Sequence, residues 1–99
     1  MGFKVSENDD VTLIRIGSHL IVGNRQQLKE KVLEQLERGD RKFIVDFYKT
    51  DYIDSSGLGV LVTLSKKIRE EGGELSLASL SGDLRTLFEL TKIDSLFRF

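Results

Sequence analysis

Short apolar stretches separated by polar turns predict most of the strands of this chain. β-Branched and aromatic residues dominate these stretches or alternate with polar ones, as in buried or half-buried strands. The predicted strands cover residues 3–7, 11–16, 42–47 and 75–78, with weaker signals at 20–22 and 97–99. A polar turn at 8–10 joins the first two stretches, which predicts a β-hairpin.

Three other segments place apolar residues three or four positions apart, as one face of a helix requires. The first follows Asn24, a favourable N-cap residue, and ends at Arg38-Gly39, where glycine can adopt the left-handed conformation. The second begins near Ser55 and ends at Glu71-Gly72-Gly73, and the third follows Ser81. In the first segment these residues are Leu28, Val32, Leu33 and Leu36. In the second they are Leu58, Leu61, Val62, Ser65 and Ile68, and in the third Leu84, Leu87, Phe88 and Thr91.

The order of these elements is a hairpin followed by alternating helices and strands, which predicts an α/β domain. Strands connected through a helix are expected to be parallel, so the sheet should be mixed and packed with the helices. With 99 residues, 39% of them hydrophobic, the chain fits one domain over residues 1–99 with a single core.

Composition removes several classes of function. The net charge is −1, with 15 basic and 16 acidic residues interspersed, so no basic stripe is available for direct nucleic-acid binding. No apolar run approaches the roughly 20 residues that span a membrane, and no secretory signal precedes the first strand. The absence of cysteine excludes a disulfide and fits a reducing compartment. We therefore expect a cytoplasmic protein with neither a nucleic-acid nor a membrane partner.

The segment Asp54-Ser55-Ser56-Gly57-Leu58-Gly59 concentrates the candidate chemistry. It lies between the apolar strand 42–47 and an apolar helix, and ligands of α/β sheets are usually met beyond the carboxyl ends of strands. A helix start presents unpaired N–H groups and a partial positive charge, which would tolerate a phosphate. Ser55 or Asp54 could equally be an ordinary cap residue of that helix.

Glycines and apolar residues of the same helix predict the close approach of another surface. Gly57 and Gly59 each lower helix propensity by about 1 kcal/mol relative to alanine, so either the domain's own loops or a partner should lie against them. Val60 and Leu64 form an apolar stripe beside the expected core face. Either neighbouring elements cover this stripe, or it belongs to a partner surface next to Ser55.

The residue types that catalysis requires are scarce. A serine nucleophile needs a base, and the single histidine, His19, falls in a turn after the second strand. The chain contains no G-x-S-x-G, dinucleotide-binding or Walker A motif, and it offers one histidine and no cysteine as metal ligands. We therefore expect no enzymatic activity, no cofactor and no metal ion.

The run Asp54-Ser55-Ser56-Gly57-Leu58-Gly59-Val60-Leu61 resembles the signature of the bacterial anti-sigma factor antagonists, which are members of the STAS domain family. Further similar elements, in fitting order and spacing, are Phe43-Ile44-Val45-Asp46-Phe47, Tyr52-Ile53, Gly72-Gly73-Glu74, Leu87-Phe88-Glu89-Leu90 and Phe97-Arg98-Phe99. The resemblance covers most of the chain from residue 28 onward and implies a small STAS-like fold.

This resemblance implies a phosphorylation-regulated protein-binding switch. In that family the unmodified domain binds an anti-sigma factor and so frees a sigma factor for transcription. The anti-sigma factor is often also a Ser/Thr kinase that uses ATP and Mg²⁺ to phosphorylate the hydroxyl residue directly after the aspartate, here Ser55, and a separate phosphatase reverses the modification. The predicted partner-binding residues are Asp54, Ser55, Ser56, Gly57, Val60 and Leu64.

Two departures from the family pattern leave alternatives open. Family members commonly carry an aspartate after the second strand, close to the phosphorylation site, where this chain has Ile21. That departure favours an alternative function, an unphosphorylated STAS scaffold or a transporter-associated subunit. The family also often continues into a final helix, whereas this sequence stops at Phe99, so a second copy could cover the apolar surface and a homodimer is one expectation.

Overall fold

The computed structural model, which describes residues 4–8, 10–93 and 97, contains the predicted helices and strands in the predicted order, with one additional short strand at 52–53 that the sequence pattern did not predict. The strands are β1 (Lys4–Asn8), β2 (Val11–Arg15), β3 (His19–Leu20), β4 (Lys42–Asp46), β5 (Tyr52–Ile53) and β6 (Glu74–Ala78). The helices are α1 (Arg25–Glu37), α2 (Ser55–Glu70) and α3 (Gly82–Leu90). The predicted terminal strand at 97–99 lies outside the described residues, apart from Phe97, which is buried with its ring edge-on to Phe88.

The main sheet is mixed, with strand order β1-β2-β4-β6. β1 and β2 form the predicted antiparallel hairpin, whereas β4 runs parallel to both β2 and β6. The parallel pairs are those connected through a helix, since a crossover returns the chain to the end of the sheet where it started. The carboxyl ends of β2, β4 and β6 therefore meet at one edge of the sheet.

One face of this sheet forms a wall of the hydrophobic core. Alternate residues of a strand point to the same face, and the register aligns them in rows across three strands. The buried rows are Thr12, Phe43 and Leu75, followed by Ile14, Val45 and Leu77. The helices complete the core with Leu28, Val32 and Leu36 from α1, Leu61 and Ile68 from α2, and Leu84 and Phe88 from α3.

A second, two-stranded parallel sheet positions the candidate functional segment. It is formed by β3 and β5, and Leu20 lies opposite Ile53. Next to it, the buried Thr50 donates a 2.7 Å hydrogen bond from its hydroxyl to the Gly17 carbonyl. These contacts hold the segment that precedes α1 against the segment that leads into α2.

Val60 and Leu64 are core residues of α2, and the prediction that they lie on a partner surface is wrong. Val60 is 6% exposed and Leu64 is 1% exposed. α2 packs against both β6 and α1, so it buries a wider apolar stripe than a helix that contacts the sheet alone. The alternative that neighbouring elements cover this stripe is therefore confirmed.

Leu64→Ala should lower the free energy of unfolding by about 2–5 kcal/mol, the range for leucine truncations that leave a cavity in a packed core. Urea unfolding followed by circular dichroism measures this loss. Leu90→Ala is the matched control, because Leu90 also lies in a helix but is 76% exposed. The control should change stability by no more than about 0.5 kcal/mol. Equal losses in the two variants would contradict the core position of Leu64.

Candidate functional site

Ser55 is the first residue of α2, and its side chain is exposed. Asp54 is the N-cap residue, because its backbone is extended (φ −90°, ψ 177°) and its Oδ1 accepts a 2.8 Å hydrogen bond from the Gly57 N–H. The alternative that Ser55 caps the helix is therefore wrong. Within the described residues the Ser55 hydroxyl has no hydrogen-bond partner, so its oxygen is accessible for modification.

Asp54 also joins the start of α2 to the loop before α1. Its Oδ2 accepts a 3.0 Å hydrogen bond from the Val22 N–H, and its own N–H donates one of 3.1 Å to the Leu20 carbonyl. One carboxylate thereby accepts hydrogen bonds from its own helix and from a loop residue 32 positions earlier in the sequence. The loop and the helix start consequently form one continuous surface.

Asn24 occupies the predicted N-cap position of α1, but its side chain makes no capping hydrogen bond. Its Oδ1 instead accepts a 2.8 Å hydrogen bond from the Ile21 N–H, and its Nδ2 donates one of 2.9 Å to the His19 carbonyl. These two bonds close the turn that carries Val22. The Asn24 side chain therefore stabilises the loop beside Asp54, because its amide group bonds the loop backbone and not the N–H groups at the start of α1.

Hydrogen bonds to the charged form hold the pKa of Asp54 below its ordinary value. The Gly57 N–H makes the largest contribution and partial desolvation opposes it, while the N–H groups of Val22 and Ser56 and the positive charge of Arg25 also lower the pKa. Asp54 is therefore an anion near neutral pH, with its charge directed at backbone donors.

Gly57 is required by the domain's own loop. A Cβ at this position would collide with the Leu20 carbonyl oxygen and would lie 2.9 Å from Ile53 Cγ2. Gly57 is also buried, so β3 and β5, and no partner, occupy the space beside it. The second glycine differs, because a Cβ at Gly59 would meet nothing within 4 Å.

Exposed apolar side chains lie on the loop before α1 and on the segment that leads into α2, and the sequence pattern did not single them out. Val22 is 63% exposed and Tyr52 is 58% exposed, and Tyr48, in the loop before β5, is 72% exposed. Large apolar groups exposed in one region are typical of a binding surface. The exposure of Tyr52 could have been predicted from its alternation with the buried Ile53. The exposure of Val22 could not, because residues 20–22 have the apolar pattern of a short buried strand.

Other chemistry is sparse in the part of the chain that the structure describes. His19 Nδ1 lies 2.9 Å from the Ser18 hydroxyl, and no hydrogen bond joins this histidine to Ser55 or Ser56. Residues 4–8, 10–93 and 97 contain no group of three or more His, Cys, Asp or Glu side chains able to hold a metal ion. No helix within these ranges has the length and apolar character needed to cross a membrane.

The sequence profile of the STAS domain family matches residues 3–99, and the chain belongs to this family. Over 87 residues it is 32% identical to the anti-sigma-B factor antagonist of Bacillus subtilis, covering 88% of this chain and 79% of that protein. It is 35% identical over 74 residues to BtrV of Bordetella bronchiseptica, covering 75% of this chain but only 64% of that protein, less than two thirds of its length.

The fold predicted from the sequence is confirmed by comparison with known structures. A crystal structure of a Thermotoga maritima protein superposes with a TM-score of 0.88 at 28% identity, covering 97% of this chain and 83% of that one. The Bacillus subtilis relative is by name an antagonist of an anti-sigma factor, which is a regulatory role and not an enzymatic one. The chain is therefore related to regulatory binding proteins of transcription, as the sequence predicts.

Gly57→Ala should destabilise the domain by about 1–3 kcal/mol, because the added methyl group overpacks the contact with the Leu20 backbone. Gly59→Ala is the matched control in the same helical turn. It should stabilise the domain by up to about 1 kcal/mol, since alanine is the better helix former and the space is open. Urea unfolding of both variants measures the difference, and a Gly57→Ala variant as stable as Gly59→Ala would contradict the close contact.

Asp54→Asn should flatten the acid side of the stability–pH profile. Because the folded-state pKa of Asp54 is lowered, its contribution to stability is complete above the unfolded-state pKa and is lost as pH falls through the folded-state value. Urea unfolding over a pH series from neutral to strongly acid measures this loss.

The matched control for that series is Asp51→Asn. Asp51 is exposed and its carboxylate accepts no hydrogen bond from the described residues, so the control removes a nearby charge without removing cap bonds. Identical profiles for Asp54→Asn and Asp51→Asn would contradict the role given to the Asp54 hydrogen bonds.

Proposed function

We propose that this domain is a phosphorylation-regulated switch whose unmodified form binds an anti-sigma factor and so frees a sigma factor for transcription. The observation that carries the proposal is the position of Ser55. Its hydroxyl is exposed at the first position of α2 and makes no hydrogen bond to the described residues, and the β3–α1 loop and β5 present apolar side chains nearby. The relationship to the Bacillus subtilis antagonist supports an anti-sigma factor as the partner.

The binding surface combines an apolar part with the polar start of α2. Its residues are Val22, Tyr52, Asp54, Ser55 and Ser56. Apolar and aromatic groups provide the contact that the centre of a protein interface needs. Because the Asp54 carboxylate already fixes the loop that carries Val22, little ordering is required when a partner binds.

Phosphorylation of Ser55 changes this surface and leaves the fold in place. The kinase transfers the γ-phosphoryl group of ATP to Ser55 Oγ, ADP leaves, and the hydroxyl proton is released. The phosphate adds about −1.5 to −2 charge at neutral pH. The helix start favours this charge by about 0.3–1 kcal/mol. A partner that covers Ser55 must desolvate the phosphate, which is costly, so binding weakens.

The cycle of modification needs two further proteins. The anti-sigma factor itself is the Ser/Thr kinase, and it therefore modifies the surface that it binds. A phosphatase removes the phosphate from Ser55 and restores the binding form. The domain supplies the acceptor hydroxyl and the surface, and neither reaction requires a base from its own residues.

Ile21 favours a second candidate function, an unphosphorylated scaffold or a transporter-associated subunit. This residue stands where the family commonly has an aspartate near the phosphorylation site. It is half-buried, and its N–H is bonded to the Asn24 side chain. A kinase that relies on that acidic group would find an apolar side chain instead.

Incubation with a candidate anti-sigma kinase and ATP should add one phosphate, which peptide mass mapping should place on Ser55. Ser55→Ala should block the modification and keep the affinity for the anti-sigma factor. Ser55→Asp should weaken binding about tenfold or more, since each 1.4 kcal/mol of desolvation cost is a factor of ten. Isothermal titration calorimetry measures these affinities.

Ser56→Ala is the matched control, because it removes the neighbouring hydroxyl and should still accept phosphate at Ser55. Phosphate found on Ser56 alone, or equal affinities of the unmodified and phosphorylated forms, would contradict the proposal. If the domain neither accepts phosphate nor binds anti-sigma factors, the scaffold function becomes the better account.

A further inference from the structure

A cleft lined by cations lies between the first halves of α1 and α2, beside the candidate site. Its volume is about 280 Å³, and its lining residues are Arg25, Gln26 and Lys29 from α1 with Gly59, Val60 and Thr63 from α2. Gly59 and Thr63 follow Ser55 by four and eight residues, so all three lie along one side of α2. The cleft therefore begins one helical turn beyond Ser55, on the same side of α2.

Arg25 and Lys29 stand in an arrangement that is unfavourable for the isolated domain. Arg25 is the first residue of α1, where the helix dipole disfavours positive charge. Lys29 follows one turn later, and like charges at this spacing destabilise a helix by about 0.2–0.5 kcal/mol. Within the described residues neither side chain has a hydrogen-bond or ion-pair partner.

Three other cations in or directly after a helix have an acidic partner at the same spacing. Their ion pairs are Arg38–Glu34 at 3.7 Å, Lys67–Glu71 at 3.9 Å and Arg85–Glu89 at 4.0 Å. Arg25 and Lys29 follow each other at that spacing, and the described residues that line the cleft with them include no acidic side chain. A pair of like charges at a helix start departs from the local preference for acidic residues there, and such departures are expected at functional sites.

The positive charge of Arg25 already acts at the candidate site. It is one of the groups that lower the pKa of Asp54, the residue before Ser55. One turn after Ser55 the surface of α2 is uncovered, because a Cβ at Gly59 would meet nothing within 4 Å. Arginine and lysine form strong charge-assisted hydrogen bonds with phosphate oxygens. A phosphate on Ser55 is therefore a suitable anionic partner for these two cations.

We infer that Arg25 and Lys29 bind the phosphate of phosphorylated Ser55 within the same molecule. This inference rests on the proposed function, because that function makes Ser55 the modified residue. The two cations offset the repulsion between the phosphate and the Asp54 carboxylate. They also hold the phosphate on the α1 side of Ser55, so modification adds a fixed charged group to the binding surface.

³¹P NMR of protein with genetically encoded phosphoserine at position 55 tests this inference without a kinase. Phosphoserine loses its second proton with a pKa of about 6, and nearby positive charge lowers this value. Removing both cations in Arg25→Gln/Lys29→Gln should raise the phosphate pKa by about one pH unit, the low end of the effect of a close opposite charge. Circular dichroism confirms that each variant is folded.

Lys31→Gln/Lys66→Gln is the matched control, because it removes the same charge from exposed positions of the same two helices. The phosphate pKa of this control should stay close to that of the parent protein. Equal changes in the two double variants would overturn the inference. A lowered pKa for phosphoserine at position 56 but not at position 55 would overturn it as well.

The titration of the phosphate and the binding test of the proposed function can fail independently of each other. The titration involves no partner, so an unchanged phosphate pKa overturns the cation site and leaves anti-sigma binding as it was. A failure to bind anti-sigma factors likewise leaves the titration result standing. If Arg25→Gln/Lys29→Gln weakens partner binding without changing the phosphate pKa, the cleft receives an acidic group of the partner and the inference is wrong.

Discussion

The carboxylate of Asp54 accepts hydrogen bonds from the Gly57 and Val22 N–H groups, and these two bonds join distant segments into one surface. The first bond caps α2, and the second holds the loop before α1. Because aspartate supplies the cap, the hydroxyl of Ser55 remains free at the first helical position. An accessible serine beside a fixed apolar loop is thus a consequence of where one carboxylate lies.

The same junction depends on a glycine. Leu20 and Ile53 approach the start of α2 so closely that only Gly57 fits between them, although glycine lowers helix propensity by about 1 kcal/mol. That approach allows β3 to pair with β5, and this pairing delivers Val22 to Asp54. A residue of low helix propensity is present at this position because the close contact of β3 and β5 with the start of α2 stabilises the junction.

The sequence by itself determined the helices, the strands of the main sheet, their order and the segment that carries the chemistry, whereas the two-residue β5 was not predicted. Strand alternation, as in Phe43 to Val45, and helical spacing, as in Leu28 to Val32, depend only on neighbours two to four residues away. The change from the two-residue period of a strand to the roughly 3.6-residue period of a helix near Ser55 also depends only on nearby residues. For this reason the α/β fold, the mixed sheet and the position of Ser55 at a helix start could all be predicted.

Only the tertiary structure decided which side chains are covered and which are presented. Leu64 is buried because α1, far away in sequence, packs against a second side of α2. Asn24 shapes a loop although its position is that of a helix cap, and Val22 is exposed because its backbone is held by Asp54, 32 residues later. Burial and hydrogen bonding between residues that are far apart in sequence depend on how the elements pack against one another. The local periodicity of a sequence does not determine that packing.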